Sequence, residues 1–187
     1  ESNYKNKELI FIGRIHKVKG LERLLKAWDE IAMEFKNWKL TLIGPDQSNY
    51  MQKLKKITNF KKNRVKYLGS IYDKEKWQKL YNADLFIMPS DFENFGTSIL
   101  EALSTGLPVI ISDQAPWNKI EENQMGWLVE NNYQSIKEKL KIALSASKKE
   151  LKIMGKKGKF FSKSFDYKFI GNTLIGLYYK LQNNGKD

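Results

Sequence analysis

Two glutamates eight positions apart, Glu93 and Glu101, bracket Gly96 in the stretch FENFGTSILEALSTGLPVIIS, residues 92–112. An apolar strand ends just before the first, and an apolar helix is expected over 97–104. The first N–H groups of such a helix have no partner within it, and its dipole adds about half a positive charge there. That end is an anion site, and Gly96 lets the anion approach the backbone closely. Thr97 and Glu101 are four apart and share one helix face. Carboxylates are poor phosphate partners but good acceptors for sugar hydroxyls. The spacing therefore suits a ligand that reads hydroxyl, phosphate, hydroxyl, which is the form of a nucleotide sugar. A plainer reading makes Glu93 a loop carboxylate stabilised by the dipole and Glu101 a solvated helix residue. The apolar neighbours Ile99, Leu100, Ala102 and Leu103 argue against the second half of it.

A second constellation lies upstream in GRIHKVKG, residues 13–20. Arg14 follows the first expected strand and Lys19 precedes the first long helix. Both cations would sit where a diphosphate needs neutralising, although in so lysine-rich a chain Lys19 alone reads as a surface cation. No Asp-x-Asp pattern occurs, so nothing points to a metal in that task. With no cysteine and His16 as the single histidine, a zinc centre is not expected. His16 reads as a loop residue.

These residues need a scaffold that gathers loops. Short apolar runs at 9–12, 38–43, 65–68, 85–88, 109–111 and 126–129 read as strands. Between them lie helical patterns, the clearest with apolar residues at 21, 24, 25, 28, 31, 32 and 35. Two or three helices finish the chain, including one carrying Ile170, Leu174, Leu177, Tyr178 and Leu181. Alternation of this kind gives right-handed βαβ units and a parallel sheet with helices on both faces. The unbroken apolar runs fit strands covered on both sides. Ligands bind such sheets outside the carboxyl ends of the strands, which selects the loops at 13–20, 44–48, 69–73, 89–96 and 112–118.

Composition limits the alternatives. The 187 residues suit one domain, and no apolar run reaches the roughly 18 residues of a membrane span. A cytoplasmic protein is expected. The net charge of +12 comes from 33 basic residues, of which only Arg14, Arg23 and Arg64 are arginine. Base readout favours arginine forks, so a solvated lysine-rich surface is expected rather than nucleic-acid binding, with an anionic membrane surface or substrate as the other reading. The polar start ESNYKNKE reads as a chain cut from something longer.

The order GRIHKVKG, LTLIGPD, VKYLGSI, NADLFIMPSDFENFGTSILEALSTGLPVIISD, GWLV resembles the nucleotide-sugar-binding half of family 4 (group 1) glycosyltransferases, over roughly residues 8–130. The segment SDQAPWNKIEENQMGWLV is similar to members with a Pro-Trp pair at this place. These enzymes have the GT-B architecture, two Rossmann-like domains facing across a cleft. The resemblance implies that residues 1–187 form the carboxyl-terminal, donor-binding Rossmann-like domain, a doubly wound parallel sheet with final helices over about 147–187. It implies retaining transfer of a hexosyl group from a nucleotide-diphosphate sugar, with no cofactor and no required metal, in polysaccharide, lipopolysaccharide or glycolipid synthesis. Arg14, Lys19 and Glu93 would be catalytic, the first two on the diphosphate and the third on the donor sugar. Gly13, Gly44, Ile71, Asn94, Phe95, Gly96, Thr97 and Glu101 would bind the donor, with Glu101 on the ribose and Ile71 and Gly44 near the base. The acceptor would be held by a missing amino-terminal domain, without which the chain is expected to be inactive, and contact with the inner face of a membrane is the further expectation. A GT-B nucleotide-sugar epimerase and a non-catalytic nucleotide-binding or basic interaction module are the alternatives.

Overall fold

A computed structural model describes residues 7–165 of the chain. The expected helix carrying Ile170 to Leu181 lies outside the described residues. Among the described residues six strands and six α-helices follow one another: β1 Lys7–Ile12, α1 Leu21–Ile31, β2 Trp38–Ile43, α2 Tyr50–Leu54, β3 Val65–Tyr67, α3 Asp73–Asn82, β4 Leu85–Met88, α4 Thr97–Thr105, β5 Val109–Ser112, β6 Gly126–Val129, α5 Tyr133–Ser145 and α6 Lys148–Ser162.

Every apolar position of the helical pattern in α1 is buried, at Leu21, Leu24, Leu25, Trp28 and Ile31. Its charged residues fall on the other side, as an amphipathic helix on a sheet requires. Helix α6 begins at a complete capping box. Ser147 accepts from the Glu150 N–H, and the Glu150 carboxylate accepts from the Ser147 N–H at 2.7 Å. All four residues of β4 and of β5 are buried, as expected of central parallel strands covered on both faces. Strand β1 starts earlier than its apolar run, because Lys7 and Glu8 pair with Trp38 and Lys39 of β2.

All strand pairs are parallel, in the order β3-β2-β1-β4-β5-β6. The chain moves from β1 outward to one side and from β4 outward to the other. With right-handed crossovers this reversal puts α1 and α4 on opposite faces of the sheet. Helix α5 packs against α1, and α6 packs against α4. Two tryptophans anchor the α1 layer without stranding a donor. The Trp28 indole N–H donates to the Asn63 carbonyl at 2.8 Å, and that of Trp38 to the Leu144 carbonyl at 3.1 Å. The loops after β1 and β4 leave adjacent strands in divergent directions and so open a crevice at the carboxyl edge, the usual ligand position in a doubly wound sheet.

Candidate functional site

The loops after β1 and β4 are tied together before any ligand is considered. The first is held to the edge of β2: the Gly13 N–H donates to the Ile43 carbonyl at 2.9 Å, and Ile15 to Pro45 at 2.8 Å. A single 3-10 turn follows at Lys17–Lys19, capped by His16, whose ring Nδ1 accepts from the Val18 N–H. His16 is thus the loop residue expected. Gly20 then turns left-handed, with φ of 69°, and a Cβ there would lie 2.0 Å from the Pro89 carbonyl oxygen. Only glycine allows the two loops this close. They are stitched by the Asp91 N–H donating to the Val18 carbonyl at 2.7 Å, and by Arg23, which pairs with Asp91.

Across that junction Lys19 Nζ meets Glu93 Oε1 at 2.5 Å, with both side chains largely buried at 13% and 11% exposure. The fully buried Ser90 donates to the same oxygen at 2.9 Å. Glu93 Oε2 accepts no hydrogen bond among the described residues. Two residues 74 positions apart, expected on opposite parts of one ligand, therefore touch each other.

Helix α4 starts beside this pair. Gly96 is left-handed, with φ of 75°, and no side chain caps the helix. The Ile99 and Leu100 N–H groups bond back to the Gly96 carbonyl, while those of Gly96, Thr97 and Ser98 find no acceptor among the described residues. Three backbone donors are thus unpartnered, among the described residues, at the helix start where an anion is expected from the sequence. The Trp117 indole N–H donates to the Phe95 carbonyl at 2.5 Å. Further along, Glu101 is half-buried rather than solvated. Its Oε1 meets Lys76 Nζ of α3 at 2.5 Å, with exposures of 18% and 23%.

The remaining expected residues line the same edge. Arg14 is exposed and makes no ion pair among the described residues. The Gly44 N–H donates to the Gly69 carbonyl at 2.8 Å, and the Gly44 carbonyl accepts from the Tyr67 hydroxyl at 3.0 Å, so the loops after β2 and β3 are joined as well. Ile71 packs partly buried against the core. Asn94, Phe95 and Thr97 are exposed. An open hollow of about 580 Å³, lined by Trp127, Lys141, Ile142 and Met154 among others, belongs to none of these loops. Behind the first loop, Tyr50 donates to Glu22, which also pairs with Lys53 at 2.7 Å. The bonds from Lys53 and then Tyr50 hold the Glu22 carboxyl below its ordinary range against the opposing effect of burial. Burial, and then the bond to Glu22, push the Tyr50 phenol upward.

A profile of the family described as glycosyl transferases group 1 matches residues 1–160. The chain belongs to that family. It is 32% identical over 134 residues to an uncharacterised glycosyltransferase of Methanocaldococcus jannaschii, covering 70% of this chain and 34% of that one. The chain spans a third to a half of the first curated relatives it matches, with 34%, 36% and 49% of their lengths covered. Among solved structures, the carboxyl-terminal domain of a glycosyl transferase group 1 protein from Francisella tularensis superposes with a TM-score of 0.73 at 24% identity, over 86% of this chain and 87% of that one. The Anabaena protein HepE, in complex with UDP and glucose, superposes with a TM-score of 0.77 at 20% identity, over 94% of this chain and 49% of that one. These likenesses bear out the expected Rossmann-like fold and its place in GT-B glycosyltransferases.

Three residues at this edge were not singled out as site residues from the sequence. Ser90 closes β4 and was visible only as the end of a strand. Trp117 was visible only as half of a Pro-Trp pair. Lys76 gave no signal at all, being one lysine of many on a polar helix.

Proposed function

We propose that this chain is the donor-binding domain of a group 1 glycosyltransferase, taking a nucleotide-diphosphate sugar and passing a hexosyl group with retention to an acceptor in polysaccharide, lipopolysaccharide or glycolipid synthesis. The observation that carries the reading is the row of unpartnered Gly96, Thr97 and Ser98 N–H groups set between Glu93 and Glu101. A phosphate accepts from such donors at a helix start. Glu101, one turn on, takes the ribose hydroxyls, and Glu93 takes those of the donor sugar. Ile71 and Gly44 flank the base. The UDP and glucose held by the structural relative HepE support a donor of this class.

Charge develops on the departing phosphate as the sugar leaves. Fixed donors and cations aimed at that position lower the barrier, since they need no reorganisation when the charge appears. The helix start and the cations Arg14 and Lys19 supply them, and the reading requires no metal. The acceptor and its binding groups belong to a second domain, which agrees with the part of its relatives that this chain spans. Contact with a membrane surface would serve a lipid-linked acceptor.

Calorimetric titration of the purified chain with UDP, GDP and ADP, and with the glucose conjugate of each, tests the reading. One base series is expected to bind, and no sugar is expected to move to an added acceptor until a second domain is supplied. Failure of all three series to bind overturns the reading, and release of an epimerised nucleotide sugar redirects it to an epimerase.

A further inference from the structure

The Phe95–Gly96 peptide is gripped from one side only. Its carbonyl accepts the Trp117 indole N–H at 2.5 Å. Trp117 itself is 4% exposed, and its ring is enclosed by Phe95 and by two aromatic neighbours from the end of the described chain, Phe161 and Phe165. Ring centroids lie 5.4 Å away at Phe95, 5.2 Å at Phe165 and 6.4 Å at Phe161, all tilted or edge-on, arrangements in which aromatic pairs attract. The tryptophan is thus fixed by α6 and the turn after it, and it in turn fixes one peptide plane.

That plane matters because a trans peptide holds its C=O and N–H pointing in opposite directions, and no cis bond occurs among the described residues. With the Phe95 carbonyl turned toward Trp117, the Gly96 N–H points away from the aromatic cluster. It joins the Thr97 and Ser98 N–H groups, which likewise find no acceptor among the described residues. A left-handed glycine can flip its preceding peptide at little steric cost. Flipped, the same position would present a carbonyl oxygen and repel an anion. Gly96 makes the turn possible and leaves its orientation undetermined, so something else must choose it.

We propose that Trp117 is a positioning residue that selects the anion-binding orientation of the Phe95–Gly96 peptide, and so sets affinity for the phosphate-bearing part of the donor. It touches no substrate. This rests on the donor-site reading above, and it goes beyond that reading by assigning a role to the Pro-Trp segment after β5 and to the aromatic residues that clamp it.

The test compares wild type with Trp117→Phe, which retains an aromatic ring and removes the N–H. The probes are the tightest binder among UDP, GDP and ADP, and the matching nucleoside without phosphate. Loss of one donor to an anion is expected to weaken diphosphate binding about tenfold, the scale of a hydrogen bond to a charged group, and to leave nucleoside binding unchanged. Equal loss for both probes means Trp117 only packs, and no loss for either also overturns the proposal. If wild type binds none of the nucleotides, the donor-site reading falls and takes this one with it. Should Trp117→Phe fail to fold, amide resonances of the wild-type chain decide. The Gly96 amide is expected to shift with the diphosphate and stay still with the nucleoside, while the Trp117 indole N–H remains protected from exchange. A Gly96 amide indifferent to the diphosphate overturns the proposal.

Discussion

Lys19 and Glu93 meet at 2.5 Å across the junction of two loops that leave adjacent strands. Each carries a separate task in the proposed site, Lys19 on phosphate and Glu93 on sugar hydroxyls. Their contact makes those tasks interdependent, because one ammonium has three donors to divide between Glu93 and a phosphate. Ser90 and Lys19 occupy one oxygen of Glu93 and leave Oε2 for a ligand. A double-mutant cycle of Lys19→Met and Glu93→Gln, followed by thermal or denaturant unfolding, is expected to show a coupling of about 0.5–3 kcal/mol, the range for residues in direct contact. Additive losses would mean that the pair does not form in solution.

Glu101 and Lys76 form the second such pair. If Glu101 accepts ribose hydroxyls from its partly desolvated position, Glu101→Gln weakens nucleotide binding by about 1.5–3 kcal/mol, as expected for hydrogen bonds to a charged group. A 2′,3′-dideoxyribose analogue then binds wild type about as weakly. Lys76 holds the carboxylate by one oxygen, so Lys76→Met is expected to lose part of the ribonucleotide affinity and none of the dideoxy affinity. Ribonucleotide binding that is unchanged in Glu101→Gln would make Glu101 a surface carboxylate.

The sequence made the sheet legible where apolar runs end in Gly-Pro or Pro-Ser. The strands Trp38–Ile43, before Gly44-Pro45, and Leu85–Met88, before Pro89-Ser90, have the expected bounds. Lys7 and Glu8 escaped because polar residues enter a strand only through partners elsewhere, here the Asn37 carbonyl and the Asp84 carboxylate, which accept from their N–H groups. The site was legible along the chain and not across it. The spacing of Glu93, Gly96 and Glu101 places a helix start between two carboxylates. No spacing pairs Lys76 with Glu101, 25 residues away, or Trp117 with the Phe95 carbonyl, 22 away. Periodicity reports one element's faces, whereas these contacts are made where separate elements meet.

The Glu22 cluster predicts a pH dependence of stability. Its carboxyl is held below the ordinary glutamate range in the folded chain, first by Lys53 and then by Tyr50. A depressed folded-state pKa stabilises the fold above the unfolded-state value, and the contribution is lost as pH falls through the folded value. Glu22→Gln is therefore expected to unfold at a lower temperature than wild type at neutral pH. The difference should shrink on acidification below the ordinary glutamate range. Melting curves over that range check it, and a difference independent of pH would detach Glu22 from the effect.

Arg14 and Lys19 differ in what they already hold. Lys19 is committed to Glu93, while Arg14 is exposed and makes no ion pair among the described residues. A diphosphate reaching from the start of α4 toward the loop after β1 should meet both cations, and a monophosphate should meet fewer. Nucleoside diphosphate is therefore expected to bind more tightly than monophosphate. Arg14→Ala should erase much of that difference while leaving monophosphate affinity nearly unchanged. Lys19→Ala should also remove the partner of Glu93, so its loss should extend to the donor sugar and exceed that of Arg14→Ala for the intact nucleotide sugar. Lys19→Arg should rescue it only in part, because a planar fork does not replace a compact ammonium seated between a carboxylate and a phosphate. With the cations supplying the neutralising charge, a chelator should leave binding unchanged. Calorimetric titration of both nucleotides and the nucleotide sugar against wild type and the three variants separates these outcomes. Equal losses for monophosphate and diphosphate would reduce the two cations to a general positive field, and loss of binding on chelation would require a metal at the diphosphate.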